Sequence, residues 1–123
     1  MTRPTVLLAV FLAAVATGAR AADVKQGEAV FARCKMCHTV AAGGETMLGP
    51  NLHGLFGRKA GSVPDYDYST AMRHSGIVWD DQTLAQYLRN PSAFVPGNRM
   101  GFPGIKNEED LDSLLLYLKQ ATR

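Results

Sequence analysis

The run Cys34-Lys35-Met36-Cys37-His38 holds both cysteines of the chain and one of its three histidines. C-x-x-C-H is the signature of covalent c-type haem attachment. Two thiols three positions apart on a helical turn each add to one vinyl group of a porphyrin. The histidine that follows then lies under the iron, where a neutral imidazole serves as an axial ligand. Two other uses of paired cysteines compete. A thioredoxin-like dithiol opens a helix straight after a strand, whereas residues 27–33 before Cys34 read as helix. A zinc centre needs a closed set of four N/S ligands, and His38, His53 and His74 stand at no common zinc spacing from the cysteines. The expected cofactor is therefore one haem c, bonded through thioethers at Cys34 and Cys37, with its iron on His38.

The other face of that iron is open to water, a small ligand or a second side chain. Met36, Met47, Met72, Met100, His53, His74 and the lysines are the candidates. Met36 is pinned between the thioether cysteines, and Met47 follows His38 too closely for an easy route around the porphyrin. Met100 sits in Pro96-Gly97-Asn98-Arg99-Met100-Gly101-Phe102-Pro103-Gly104, off any helical stripe and with no evident packing role, and is the favoured ligand. His/Met ligation raises the reduction potential and leaves no open coordination position. Both point to outer-sphere transfer of one electron, so no catalytic residue is expected.

The start of the chain reads as a secretory leader. Met1-Thr2-Arg3-Pro4 is a short basic segment, residues 6–16 are an unbroken apolar run, and Ala19 and Ala21 form an A-x-A cleavage site. Eleven apolar residues are too few for a membrane span of about 20. Cleavage after Ala21 would leave residues 22–123 as one small domain in the periplasm, without stable membrane insertion. It would also remove Arg3 and Arg20 from the 13 basic residues, leaving 11 against 11 acidic ones in place of the precursor's net +2. A neutral domain gives no support to nucleic-acid binding, and no phosphate-binding Gly-rich loop is present. The domain is expected to be monomeric.

The apolar periodicity is helical throughout, with no sustained alternation. Asp23 is placed to cap a first helix running to about residue 33. Gly27 within it is either a close backbone crossing or a tolerated cost of about 1 kcal/mol. A Gly- and Pro-rich stretch over residues 39–67 suits a chain that wraps a cofactor. Ser69 caps a short helix to His74, and Asp80 caps another that ends before Asn90-Pro91. Residues 91–105 read as loop. Asn107 caps a last helix, with Leu111, Leu114, Leu115 and Leu118 along one stripe. The fold class is all-α.

Further motifs extend this pattern: Thr39-Val40 after the haem motif, Gly49-Pro50-Asn51-Leu52-His53-Gly54-Leu55-Phe56-Gly57-Arg58, Gly76-Ile77-Val78-Trp79, Tyr87-Leu88-Arg89-Asn90-Pro91, and Leu114-Leu115-Leu116-Tyr117-Leu118. With Met100 they make residues 22–123 resemble the class I cytochromes c, close to the mitochondrial type and its bacterial relatives. The resemblance implies a small fold in which N- and C-terminal helices cross and long loops wrap a covalently bound haem. It implies His38 and Met100 as axial pair and Pro50 as acceptor for the proximal histidine. Arg58, Tyr68 and Trp79 match residues that hold the buried propionate, and Tyr87 matches a tyrosine near the methionine sulfur. Gly27 and Phe31 match the face that meets the last helix. Asn98 stands where threonine is usual, Met72 where many relatives have asparagine, and Ser92 and Ala93 where a basic ring usually has lysines. Arg33, Lys35, Arg99 and Lys106 keep part of that ring. The implied function is a carrier taking electrons from a quinol-oxidising bc-type complex (quinol–cytochrome c reductase) to a terminal oxidase or photosynthetic reaction centre, with partners docking at the haem edge. The alternative is an open-site haem protein with peroxidase-like or gas-binding activity.

Overall fold

Asp23 adopts an extended backbone and its carboxylate accepts from the Lys25 N–H at 2.8 Å, which starts helix α1 (Val24–Phe31). The computed structural model describes residues 1, 2, 4, 7, 9–15 and 21–123. Ala19 of the expected cleavage site lies outside them, as do several residues of the apolar run before it. Among the described residues there are five helices and no strand, as the all-α reading requires. None of the described helices is long and apolar enough to cross a membrane.

Helix α2 (Thr70–Arg73) starts at Ser69, whose hydroxyl accepts from the Met72 N–H. Helix α3 (Asp81–Arg89) opens on a reciprocal capping box between Asp80 and Thr83. It ends at Asn90, where the following proline disfavours helical geometry. The chain does not then continue as loop, as the sequence reading had it. Pro91–Phe94 forms a further turn of helix, α4, after the non-helical Asn90. Asn90 accepts from the Ala93 N–H, and Pro91 stands at the first helical position, where its missing N–H costs nothing. Helix α5 (Glu108–Ala121) starts at Asn107. Three acidic residues occupy its first turn and Lys119 its last, each opposing the helix dipole.

Helices α1 and α5 cross, and the crossing depends on Gly27. A Cβ built on Gly27 would lie 2.0 Å from the Ser113 carbonyl oxygen and 2.7 Å from Tyr117 Cβ. Of the two sequence readings of this glycine, the close crossing is the one the structure bears out. Around it the Asp23 N–H donates to Ser113 Oγ at 3.0 Å, Gln26 donates to Asp110, and the Phe31 and Tyr117 rings pack at a tilt of 40° with centroids 5.2 Å apart. Leu111 and Leu114 are sealed in the core behind.

α1 stops at Phe31, two residues short of the expected end, because Ala32 caps it and the chain tightens into successive turns. Those turns carry the cysteines. The Cys34 carbonyl accepts from both the Cys37 N–H at 3.1 Å and the His38 N–H at 2.9 Å. This folds the five-residue motif back on itself. Farther on, Lys59 and Val78 make an isolated antiparallel bridge, and the Trp79 N–H donates to the Arg58 carbonyl. The bridge sets Arg58 beside Trp79 although 20 residues separate them.

Candidate functional site

Every residue assigned to the site from sequence lines one cavity of about 490 Å³: Cys34, Cys37, His38, Pro50, Arg58, Tyr68, Trp79, Tyr87 and Met100. α1 and its following turns deliver the cysteines and His38. The loop over residues 39–67 delivers Pro50 and Arg58, α3 delivers Tyr87, and the segment after α4 delivers Met100. Of the rejected ligand candidates, Met36 and Met47 are exposed and do not line the cavity, nor do His53, His74 or any lysine. Met72 does line it, from the buried face of α2.

His38 is held from two sides. Its Nδ1 lies 2.7 Å from the Pro50 carbonyl oxygen, which can only accept, so Nδ1 carries the proton and Nε2 keeps its lone pair. Gly49 lies against the ring, and a Cβ there would fall 2.4 Å from His38 Cε1. Burial lowers the His38 pKa, the Pro50 bond works against that, and the charge of Arg58 lowers it further. The net result favours a neutral imidazole, the form that ligates a metal.

The cysteines do not look like a redox dithiol. They follow a helix instead of opening one, and burial followed by the proximity of Cys37 raises the Cys34 pKa, with Arg33 opposing. A reactive thiol needs the opposite shift. Among the described residues no group of three or more His, Cys, Asp or Glu stands together as a set of metal ligands.

The remainder of the cavity fits a flat apolar molecule that carries negative groups. Leu52, Leu55, Leu84, Leu114, Leu118 and Phe102 give it an apolar wall, and Arg33, Arg58 and Arg99 line it without a single carboxylate. Arg58 is half-buried, and burial lowers its pKa. One of its terminal nitrogens donates to the Asn51 and His53 carbonyls, at 3.1 and 3.0 Å. Its Nε is buried without a protein partner. A buried guanidinium donor of this kind suits a carboxylate of the occupant. Tyr68 is buried beside it, and its hydroxyl accepts from the Val63 N–H. Haem meets these requirements, with an apolar ring, two propionates, an iron for His38 and vinyl groups for the thiols.

On the Met100 side, the Tyr87 hydroxyl lies 3.9 Å from the sulfur and 3.3 Å from Asn98 Oδ1. Burial raises the Tyr87 pKa far above its ordinary value, so the phenol stays protonated and remains a donor.

Comparison with known proteins agrees with the geometry. The sequence model of the family Cytochrome c matches residues 24–122. The chain belongs to the cytochrome c family. It is 47% identical to a cytochrome c of Gibberella zeae over 102 residues, which are 82% of this chain and 96% of that protein. It is 46% identical to a cytochrome c of Arabidopsis thaliana over 102 residues, 82% of this chain and 91% of that protein. It is also 41% identical to a cytochrome c2 of Blastochloris viridis over 109 residues, 89% of this chain and 86% of that protein. Membership makes it a class I cytochrome c with covalently bound haem c, an electron carrier and not an enzyme.

Asn98 and Gly49 are the site residues whose roles the sequence did not reveal. Asn98 stood out only as a departure from the family threonine, and Gly49 only as part of a matching stretch. Neither lies on a periodic stripe that could have marked it.

Proposed function

We propose that this cytochrome c carries single electrons in the periplasm, from a quinol-oxidising bc-type complex to a terminal oxidase or photosynthetic reaction centre. In this reading residues 1–21 are a leader removed on export, and residues 22–123 carry one haem joined to Cys34 and Cys37. The observation that carries the proposal is the convergence of the cysteine pair, the His38–Pro50 bond and Met100 on one apolar, arginine-lined cavity. The cytochrome c2 relative of Blastochloris viridis supports the bacterial placement.

The haem supplies a one-electron iron couple, and the chain's residues set the conditions for it. Pro50 holds the Nδ1 proton of His38 and so keeps Nε2 as a donor for the iron. Met100 offers a thioether, a soft donor that favours the reduced state. Arg58, Tyr68 and Trp79 enclose the charged end of the cavity, and the leucines keep water from its floor. With His38 and Met100 both bound to the iron, no position would be left for a substrate, whereas the open-site alternative requires Met100 to stay unbound.

Docking would occur where the cavity reaches the surface, near Arg33 and Arg99. The cationic ring there is thinner than the sequence suggested, because Arg99 pairs with Asp67 at 2.9 Å.

The test is production of the whole chain in a bacterium with c-type maturation machinery, followed by cell fractionation and electron-transfer kinetics. A haem-bearing polypeptide of 102 residues in the periplasmic fraction, reduced by a bc-type complex and reoxidised by an oxidase or reaction centre, is expected. Retention of the leader in the membrane fraction, or no exchange with either complex, would contradict it.

A further inference from the structure

We infer that Asn98 is a positioning residue whose side-chain amide fixes Met100 for ligation and draws the Tyr87 proton away from the methionine sulfur. The inference rests on reading Met100 as the second axial ligand.

Four hydrogen bonds meet at this one side chain. Oδ1 accepts from the Met100 N–H at 2.9 Å and from the Tyr87 hydroxyl at 3.3 Å. Nδ2 donates to the Pro91 carbonyl at 3.0 Å and to the Val95 carbonyl at 2.9 Å. An asparagine amide has two N–H donors and an oxygen with two lone pairs, so its capacity is fully used. The surroundings also fix which way the amide faces. Reversing it would set an NH₂ against the Met100 N–H and an oxygen against two carbonyls.

Each half of the amide has its own consequence. The bond from Oδ1 to the N–H two residues on is an Asx turn, which sets the backbone at Met100. The two bonds from Nδ2 tie that turn to the two ends of α4. Met100 is therefore anchored to the helical corner formed by α3 and α4, although the segment around it contains Pro96, Gly97, Gly101, Pro103 and Gly104. The Tyr87 hydroxyl has one proton and two acceptors within reach. An amide oxygen at 3.3 Å is a stronger acceptor than a thioether at 3.9 Å, so the sulfur receives the smaller share. A hydrogen bond to the ligand sulfur would withdraw electron density from the iron and favour the ferrous state. Asn98 limits that effect.

The experiment uses the haem-loaded protein and two readouts. The first is titration of the ferric form with imidazole, which competes with Met100 for the iron. Asn98→Ala should bind imidazole roughly tenfold more tightly, the factor expected when two hydrogen bonds made only by the ligating conformation are lost. Asn98→Thr should return most of the wild-type resistance, because a threonine hydroxyl can accept the same N–H. The second readout is the reduction potential in a double-mutant cycle with Tyr87→Phe. The change caused by Asn98→Ala should be more positive with Tyr87 present than with phenylalanine in its place. If Asn98→Ala does not take up haem, Asn98→Thr against Asn98→Val makes the same comparison at equal shape, and the valine variant should bind imidazole more tightly.

Imidazole affinity unchanged by loss of the amide, with the far-red sulfur-to-iron band intact, would overturn the positioning role. Additive potentials would overturn the proton-sharing role. A wild-type ferric protein lacking that far-red band would remove the Met100 reading itself, and would show it before any substitution is made.

Discussion

Replacing Gly27 with alanine isolates the contact on which the helix crossing is built. The new Cβ would start 2.0 Å from the Ser113 carbonyl oxygen, and ordinary contact begins near 3.4 Å, so α5 must retreat by about 1.4 Å. The obstructing atom is backbone and cannot rotate away. A gap of that size forfeits a large part of the dispersion energy between the apposed faces, Val30 and Phe31 on one side and Leu114 and Tyr117 on the other. Overpacking of this kind costs about 1–3 kcal/mol, and backbone obstruction places it near the upper end. Alanine gains about 1 kcal/mol in helix propensity over glycine, which leaves a net loss of about 2 kcal/mol. For a domain of this size that lowers the unfolding midpoint by roughly 8–16 °C. Thermal unfolding of the haem-loaded protein by circular dichroism measures it. Lys25→Ala, on the exposed side of the same helix, should stay within about 0.5 kcal/mol of wild type. A Gly27→Ala protein as stable as wild type, or more stable, would refute the account of the crossing.

Gly49→Ala should press on the His38 ring, since its Cβ would lie 2.4 Å from Cε1, and the pigment-to-protein ratio should fall in consequence. The Arg89–Glu108 ion pair joins α3 to α5 and holds the Glu108 carboxyl below its ordinary pKa, chiefly through the hydrogen bond from Arg89. A depressed folded-state pKa contributes stability above the unfolded value and loses it as the pH falls through the folded one. The midpoint difference between wild type and Glu108→Gln should therefore be present at neutral pH and close below about pH 4.5, the ordinary value for the group. It should also shrink in high salt, because the pair is exposed. For docking, the on-rate to a bc-type complex should fall only shallowly with ionic strength, since Ser92 and Ala93 carry no charge and Arg99 is paired; stopped-flow rates across a salt series measure it.

The parts of the molecule that local chemistry specifies were readable in the chain. Asp23, Ser69, Asp80 and Asn107 all cap the helices they were expected to start. The short range of the haem motif made its chemistry legible from five residues. α4 was missed because Asn90-Pro91 was read only as the end of one helix, although the same pair is a good cap and first position for the next. The loop over residues 39–67 gave no register, so the placement of Arg58 beside Trp79 came from the resemblance and found its cause in the Lys59–Val78 bridge. Asn98 makes its bonds across three segments, and no local pattern records such convergence.

The most direct measurement is the optical spectrum of the mature protein, oxidised and reduced. The expected result is a low-spin c-type spectrum with the weak far-red sulfur-to-iron band in the ferric state, unchanged by small ligands at low concentration. A high-spin spectrum that shifts on adding such ligands would contradict His38/Met100 ligation and restore the open-site alternative.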